Sequence, residues 1–155
     1  MPMERLADNE LAAWRGFIKA HAHIIEHIER DLAEQRRVPL TTYDVLIALF
    51  EAPEHKLRLG ELTNKIILTK SGITRLVHRL EREGLITREK SEEDRRGAYA
   101  VLTTEGEAQL RQAWPVYARG IKEYFVAALS EEEVQRVRNA MEAIQQRISE
   151  MVAKS

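Results

Sequence analysis

The chain contains no cysteine, which excludes disulfide frameworks, thiolate zinc sites, iron–sulfur clusters and thiol redox switches together. Any metal would have to be held by histidines and carboxylates. Glycine is sparse: the seven residues at 16, 60, 72, 84, 97, 106 and 120 form no Gly-x-Gly-x-x-Gly turn, no Gly-x-x-x-x-Gly-Lys phosphate loop and no Gly-x-Ser-x-Gly elbow. Enzymatic chemistry and a bound cofactor are therefore not expected. No apolar run approaches the ~18 residues of a membrane span, and Met1 to Asn9 is polar where a signal peptide would be apolar. A cytoplasmic protein with no membrane partner is expected. Neither charge sign dominates, with 24 Lys and Arg against 25 Asp and Glu, so a uniformly basic coat protein and an acidic tail are both excluded. Repeats, low-complexity segments and Pro/Ser-rich linkers are absent as well.

What is present is enough for one domain: 155 residues, of which 44% are hydrophobic and 32% charged. The charge is unevenly distributed. Residues 1–57 carry seven basic and ten acidic residues, residues 58–103 carry ten and seven, and residues 104–155 carry seven and eight. The middle third is the basic one, and within it Thr69 to Leu80 holds Lys70, Arg75 and Arg79 with no acidic residue.

Helical periodicity flanks this segment. From Asp8 to Gln35, Leu11, Trp14, Ile18, Ile25, Ile28 and Leu32 recur at helical spacing, with Phe17 and Ile24 widening the apolar surface. Thr41 with Asp44 fits the start of a short buried helix that Pro53 stops. Thr104 with Glu107 opens a further helix, in which Pro115 predicts a kink without a break. Ser130 with Glu133 forms a capping box ahead of Val134, Val137, Met141, Ile144, Ile148 and Met151. Residues 8–35 and 104–153 present more apolar surface than a short chain covers alone, so they are expected to build a homodimer.

Residues 41–103 have a different pattern. Gly60 to Ile67 predicts a short helix, and a second helix starting at a Thr69 cap places Ile73, Val77 and Leu80 on one face. Two helices joined by about two residues read as a helix-turn-helix. The opposite face carries Ser71, Thr74, Arg75, His78 and Arg82, with Lys70 and Arg79 beside it. Arg forks match guanine edges, and Ser and Thr reach phosphates or bases, so this face suits a DNA major groove. After Gly84, Leu85 to Lys90 and Ala98 to Leu102 read as two strands whose charged connection contains Asp94, Arg95 and Arg96, a wing. The fold class expected is mainly α with a small β-hairpin wing.

The segment Asp94 Arg95 Arg96 Gly97 Ala98 Tyr99 Ala100 Val101 Leu102 Thr103 Thr104 Glu105 Gly106 resembles the Asp-x-Arg wing, strand and helix opening of the multiple-antibiotic-resistance-regulator (MarR) family. Ser71 to Leu76 and Leu80 to Ile86 are similar to that family's recognition helix and its exit. The resemblance covers the whole chain. It implies a winged helix-turn-helix transcriptional regulator, commonly a repressor, acting as a homodimer on a double-stranded DNA operator with two half-sites. It further implies that Arg96 reaches toward the minor groove and that Asp94 orients an arginine. A carboxylate at a DNA-facing tip repels phosphate unless it holds a guanidinium, which agrees with that role.

The resemblance also implies a small aromatic or anionic effector, to which many relatives respond in a cleft between the dimerisation helices and the winged part. The corresponding wall here is Trp14, Arg15, Ile18 and His21 of the first helix, Tyr43 and Asp44 of the second, and Tyr117 of the Pro115 helix. Asp44 is similar to an acidic position of the urate-responsive branch, which carries an extra N-terminal helix that these 155 residues leave no room for. His23 and His27 have the four-residue spacing of two metal ligands, but two ligands do not complete a site and no metal is expected. The alternative to DNA binding is a winged-helix module that binds protein.

Overall fold

A computed structural model describes residues 4–67, 71–92 and 97–155. The elements follow the order α1 (Asp8–Glu34), α2 (Leu40–Glu51), β1 (Lys56–Arg58), α3 (Leu59–Lys65), α4 (Ile73–Arg82), β2 (Ile86–Lys90), β3 (Ala98–Leu102), α5 (Thr104–Tyr124) and α6 (Glu131–Ala153), with short 3-10 turns at Pro53–His55 and Val126–Ala128. The chain divides into two compact units, one of Ile25–Ala118 and one of Met1–Ile24 with Arg119–Ser155. It is mostly helical with a small sheet, as expected.

The central unit holds the core. Ile28 and Leu32 of α1, Leu40, Val45, Leu46 and Leu49 of α2, Leu62 of α3, Val77 and Leu80 of α4, Ile86 and Ala100 of the sheet, and Leu110, Ala113 and Val116 of α5 are buried. Each large apolar side chain removed from water here contributes about 1.5–3 kcal/mol. The sheet is antiparallel in the order β1-β3-β2, with Ile86 opposite Leu102, Arg88 opposite Ala100, and Leu57 opposite Ala100 on the other side. The pleat therefore puts Leu57, Ile86, Arg88, Ala100 and Leu102 on one face. Lys56, Arg58, Glu89 and Tyr99 fall on the other.

Local chemistry sets the element ends. Gly84 adopts φ 79° just after α4, where the Leu85 N–H donates to the Leu80 carbonyl at 2.9 Å and the Gly84 N–H to Glu81 at 3.1 Å. This pair of bonds is a Schellman motif, and Leu80 and Leu85, the positions such a motif brings together, are both buried. Thr103 ties the same turn to α5: its hydroxyl donates to the Gly84 carbonyl at 2.7 Å and accepts from the Gly106 N–H at 3.0 Å. The Thr103 N–H adds a bond to the Leu85 carbonyl at 3.2 Å. The exit of α4 is thus fastened to the start of α5.

Several sequence expectations need correction. α2 begins at Leu40 behind Pro39 with no side-chain cap; Pro39 supplies the extended backbone, and the Leu40 N–H donates to Glu29 at 2.6 Å. Asp44 does not cap it. Its carboxylate accepts the Ile67 N–H at 2.8 Å, holding the segment that follows α3. The α5 cap is Thr103 rather than Thr104, and Glu107 pairs with Arg111 at 2.7 Å instead. α4 begins at Ile73 behind Gly72 at φ 74°, so the helix starts later than the Thr69 cap implied, and the connection from α3 is longer than two residues. Thr69 itself lies outside the described residues. The wing is a three-stranded sheet, because β1 joins the expected hairpin. Pro115 sits inside α5 without breaking it.

In the second unit, α6 carries the predicted capping box: the Ser130 hydroxyl accepts from the Glu133 N–H at 3.1 Å and the Glu133 carboxylate accepts from the Ser130 N–H at 2.8 Å. Ile144, Ile148, Met151 and Val152 on α6, and Leu6, Trp14, Phe17 and Ile18 at and near the start of α1, are exposed. Among the described residues no helix is long and apolar enough to cross a membrane.

Candidate nucleic-acid interface

The basic face of the middle segment is built on α4. Val77 and Leu80 are 2% and 0% exposed and Ile73 half-buried, while Thr74, Arg75, His78, Arg79, Glu81 and Arg82 are exposed. One helix thereby turns its apolar stripe to the core and its cationic stripe to solvent. Ser71 is exposed in the turn ahead of it. Lys70, Asp94, Arg95 and Arg96, like Thr69, lie outside the described residues.

Beside α4 the inner face of β2 contributes Arg88, which sequence reasoning missed. Its Nε donates to Glu81 Oε2 at 2.7 Å, and its Nη2 is 3.4 Å from Nδ1 and 3.3 Å from Nε2 of His78. Arg75, His78, Glu81, Arg82 and Arg88 together line an open concavity of about 780 Å³ between α4 and β2. Three guanidiniums against one carboxylate make it cationic. The signal available in the sequence was the spacing of two from Ile86 to Arg88, which puts Arg88 on the face Ile86 buries.

The outer face of the sheet stiffens the base of the wing. Lys56 Nζ lies 5.1 Å and the Arg58 guanidinium 5.6 Å from the Tyr99 ring centroid. Lys56 also reaches Glu54 at 3.4 Å and Glu89 at 3.6 Å. The two carboxylates, Glu54 foremost, hold its ammonium above the usual lysine range.

Of the residues proposed to meet an effector, three come together in the central unit. Tyr43 packs edge-on to Tyr117 at 5.0 Å and stacks on Trp114 at 6.4 Å, and Trp114 meets Tyr117 at 5.9 Å. Burial, reinforced by Tyr117 and Glu51, pushes the Tyr43 phenol from the usual 10 up to about 12. Burial and the Asp44 carboxylate raise Tyr117 too. Trp114 was not anticipated in this cluster, although its position three residues before Tyr117 places both on one side of α5. Trp14, Arg15, Ile18 and His21 belong to the other unit, where they are exposed on α1 and Trp14 lies 6.0 Å from Phe17. His23 and His27 join no group of three or more His, Asp or Glu side chains suited to a metal among the described residues.

The sequence model of the MarR family matches residues 38–97, which contain α2, α4, β2 and the connection between β2 and β3. The chain is 30% identical over 141 residues to the uncharacterized HTH-type transcriptional regulator YkoM of Bacillus subtilis, covering 87% of this chain and 90% of that one. It is 37% identical over 95 residues to the HTH-type transcriptional repressor YetL of the same organism, covering 60% of this chain and 53% of YetL. Among solved structures, the MarR family regulator Sco3205 of Streptomyces coelicolor in complex with DNA superimposes with a TM-score of 0.84 and 29% identity, over 94% of this chain and 91% of Sco3205. These relatives are regulators, not enzymes. Exposed cationic α4, the sheet beside it and near full-length similarity to YkoM and Sco3205 lead to one assignment: the chain belongs to the MarR family of winged helix-turn-helix transcriptional regulators.

Proposed function

We propose that this regulator is a cytoplasmic homodimer that binds a pseudo-palindromic operator and represses transcription from it. The observation that carries the reading is α4, whose exposed face holds Thr74, Arg75, His78 and Arg79 while its other face is locked into the core. In this reading two copies of α4 enter successive major grooves with half-site centres about 10 base pairs apart. Ser71 and Thr74 reach phosphates or bases, Thr69 and Lys70 meet the DNA backbone, Arg95 binds DNA from the wing, Arg96 reaches toward the minor groove, and Asp94 orients an arginine. Exposed Ile144, Ile148 and Met151 of α6 and Trp14, Phe17 and Ile18 of α1 support a dimer built by the terminal helices. Similarity to Sco3205, solved with DNA, and to the repressor YetL supports the operator and the direction of control.

An aromatic or anionic effector is proposed to act at the Tyr43, Asp44 and Tyr117 cluster, with Trp114 as its reporter. In a Trp14→Phe protein, salicylate-like anions should quench or shift Trp114 fluorescence and lower operator affinity together. No change in either removes the ligand-responsive part and leaves DNA binding untouched.

The DNA mechanism is tested by variants titrated against specific and unrelated duplexes. If Arg75 forks onto a guanine, Arg75→Ala costs about 1–3 kcal/mol and relaxes preference at one base position per half-site, whereas Lys70→Ala weakens all sequences alike. Asp94→Ala should weaken binding despite removing a negative charge. Affinity for protein partners with no sequence preference for any duplex would refute the reading in favour of a protein-binding winged domain.

A further inference from the structure

Glu81 is a carboxylate on the surface that would face DNA. It occupies the last turn of α4, among Arg75, His78, Arg82 and Arg88 around the α4–β2 concavity. Coulomb repulsion alone makes it a liability there, since each phosphate it faces is also negative. Its geometry points to another role. The Glu81 Oε2 to Arg88 Nε distance is 2.7 Å, a charge-assisted bond at its short end. Arg88 Nη2 is nearly equidistant from the two His78 nitrogens, at 3.3 and 3.4 Å. The His78 ring engages Nη2 within hydrogen-bond reach of either nitrogen. Arg88 is thus gripped on two sides, from two successive turns of the same helix, and its side chain is 30% exposed.

We infer that Glu81 is a positioning residue for DNA binding: it fixes Arg88 at the foot of the wing so that this guanidinium receives a DNA phosphate between α4 and β2. The inference rests on the DNA-binding reading above. A free arginine loses several rotamers when it contacts a phosphate; one already held by a carboxylate and an imidazole has lost them on folding. Nε is engaged by Glu81 and Nη2 by His78, so the remaining N–H groups of the forked end are the ones that would meet a phosphate. The contact carries no base information, so its loss weakens every sequence to the same degree.

The test is a double-mutant cycle of Glu81→Gln and Arg88→Ala, titrated over several salt concentrations against two probes. One is a duplex selected by the wild-type protein from a random pool, the other an unrelated duplex of equal length. Glu81→Gln should weaken binding to both probes about three- to tenfold. Arg88→Ala should weaken both and flatten the salt dependence by about one phosphate contact. In the Arg88→Ala background, Glu81→Gln should no longer weaken binding, and should strengthen it slightly because only a negative charge is then removed. A protein that merely loses structure would not reverse that sign. Glu81→Gln binding as tightly as wild type, or weakening it equally in both backgrounds, overturns the inference. A second readout needs no variant: the Arg88 Nε–H of the free wild-type protein should be protected from solvent exchange, and an unprotected Nε–H overturns the inference as well. If wild type selects no sequence from the pool, the DNA-binding reading falls and this inference with it; if it selects one and the cycle shows no coupling, this inference alone falls.

Discussion

Gly106 is the residue whose replacement most directly probes how α5 is fastened to the end of α4. A methyl group built on its Cα collides with the Leu85 carbonyl oxygen, and lies 2.8 Å from Leu102 Cδ1 and 3.1 Å from the Leu85 carbonyl carbon. The leucine side chain can rotate; the carbonyl is backbone, held by the Schellman turn and by the Thr103 N–H at 3.2 Å. Making room costs overpacking strain of about 1–3 kcal/mol and puts a hydrogen bond of about 0.5–1.5 kcal/mol at risk. Against this, alanine in a helix gains up to about 1 kcal/mol over glycine. Gly106→Ala should therefore destabilise the protein by about 1–3 kcal/mol. It should also lower DNA affinity, because the displaced segment is the exit of α4. Gly60, in α3, has nothing within 4 Å of an added Cβ, so Gly60→Ala should be neutral or stabilising by up to about 1 kcal/mol. Denaturant unfolding of the two variants measures the contrast, and a Gly106→Ala protein as stable as Gly60→Ala would refute the reasoning.

Ser130→Ala removes one half of the α6 capping box and should cost about 1 kcal/mol, read as a lowered unfolding midpoint. In alkaline titration followed by tyrosinate absorbance, the last increment should appear near pH 12 and vanish in Tyr43→Phe. Because the folded protein binds that phenolic proton more tightly than the unfolded chain does, the stabilisation is complete below pH 10 and declines as pH rises from 10 toward 12.

Much of this architecture is legible in the sequence because it is written in local periodicity. The positions of α1, α5 and α6 follow from apolar spacing, the start of α6 from Ser130 and Glu133, and the end of α4 from Gly84. Caps proved less legible where a residue's partner lies far away in the chain. Asp44 looks like a helix cap by position yet binds the Ile67 N–H 23 residues later. Thr103 and Thr104 offer the same hydroxyl, and the Gly84 carbonyl 19 residues earlier selects Thr103. β1 is three residues long, too short for an alternation to register, and exists because Leu57 has a buried seat opposite Ala100. The basic stripe of α4 was visible from spacing alone. The spacing of two from Ile86 marks the face of β2 that Arg88 shares, but that this face meets the last turns of α4 is contained in no single window of sequence.

The proposed function rests on sequence-specific DNA binding by two copies of α4. It is tested most directly by selecting duplexes from a random pool with the wild-type protein and measuring the mass of the complex formed on the enriched sequence. The expected result is an inverted repeat with half-site centres about 10 base pairs apart, bound by two chains. A pool that enriches no sequence, or a single unrepeated site bound by one chain, would contradict it.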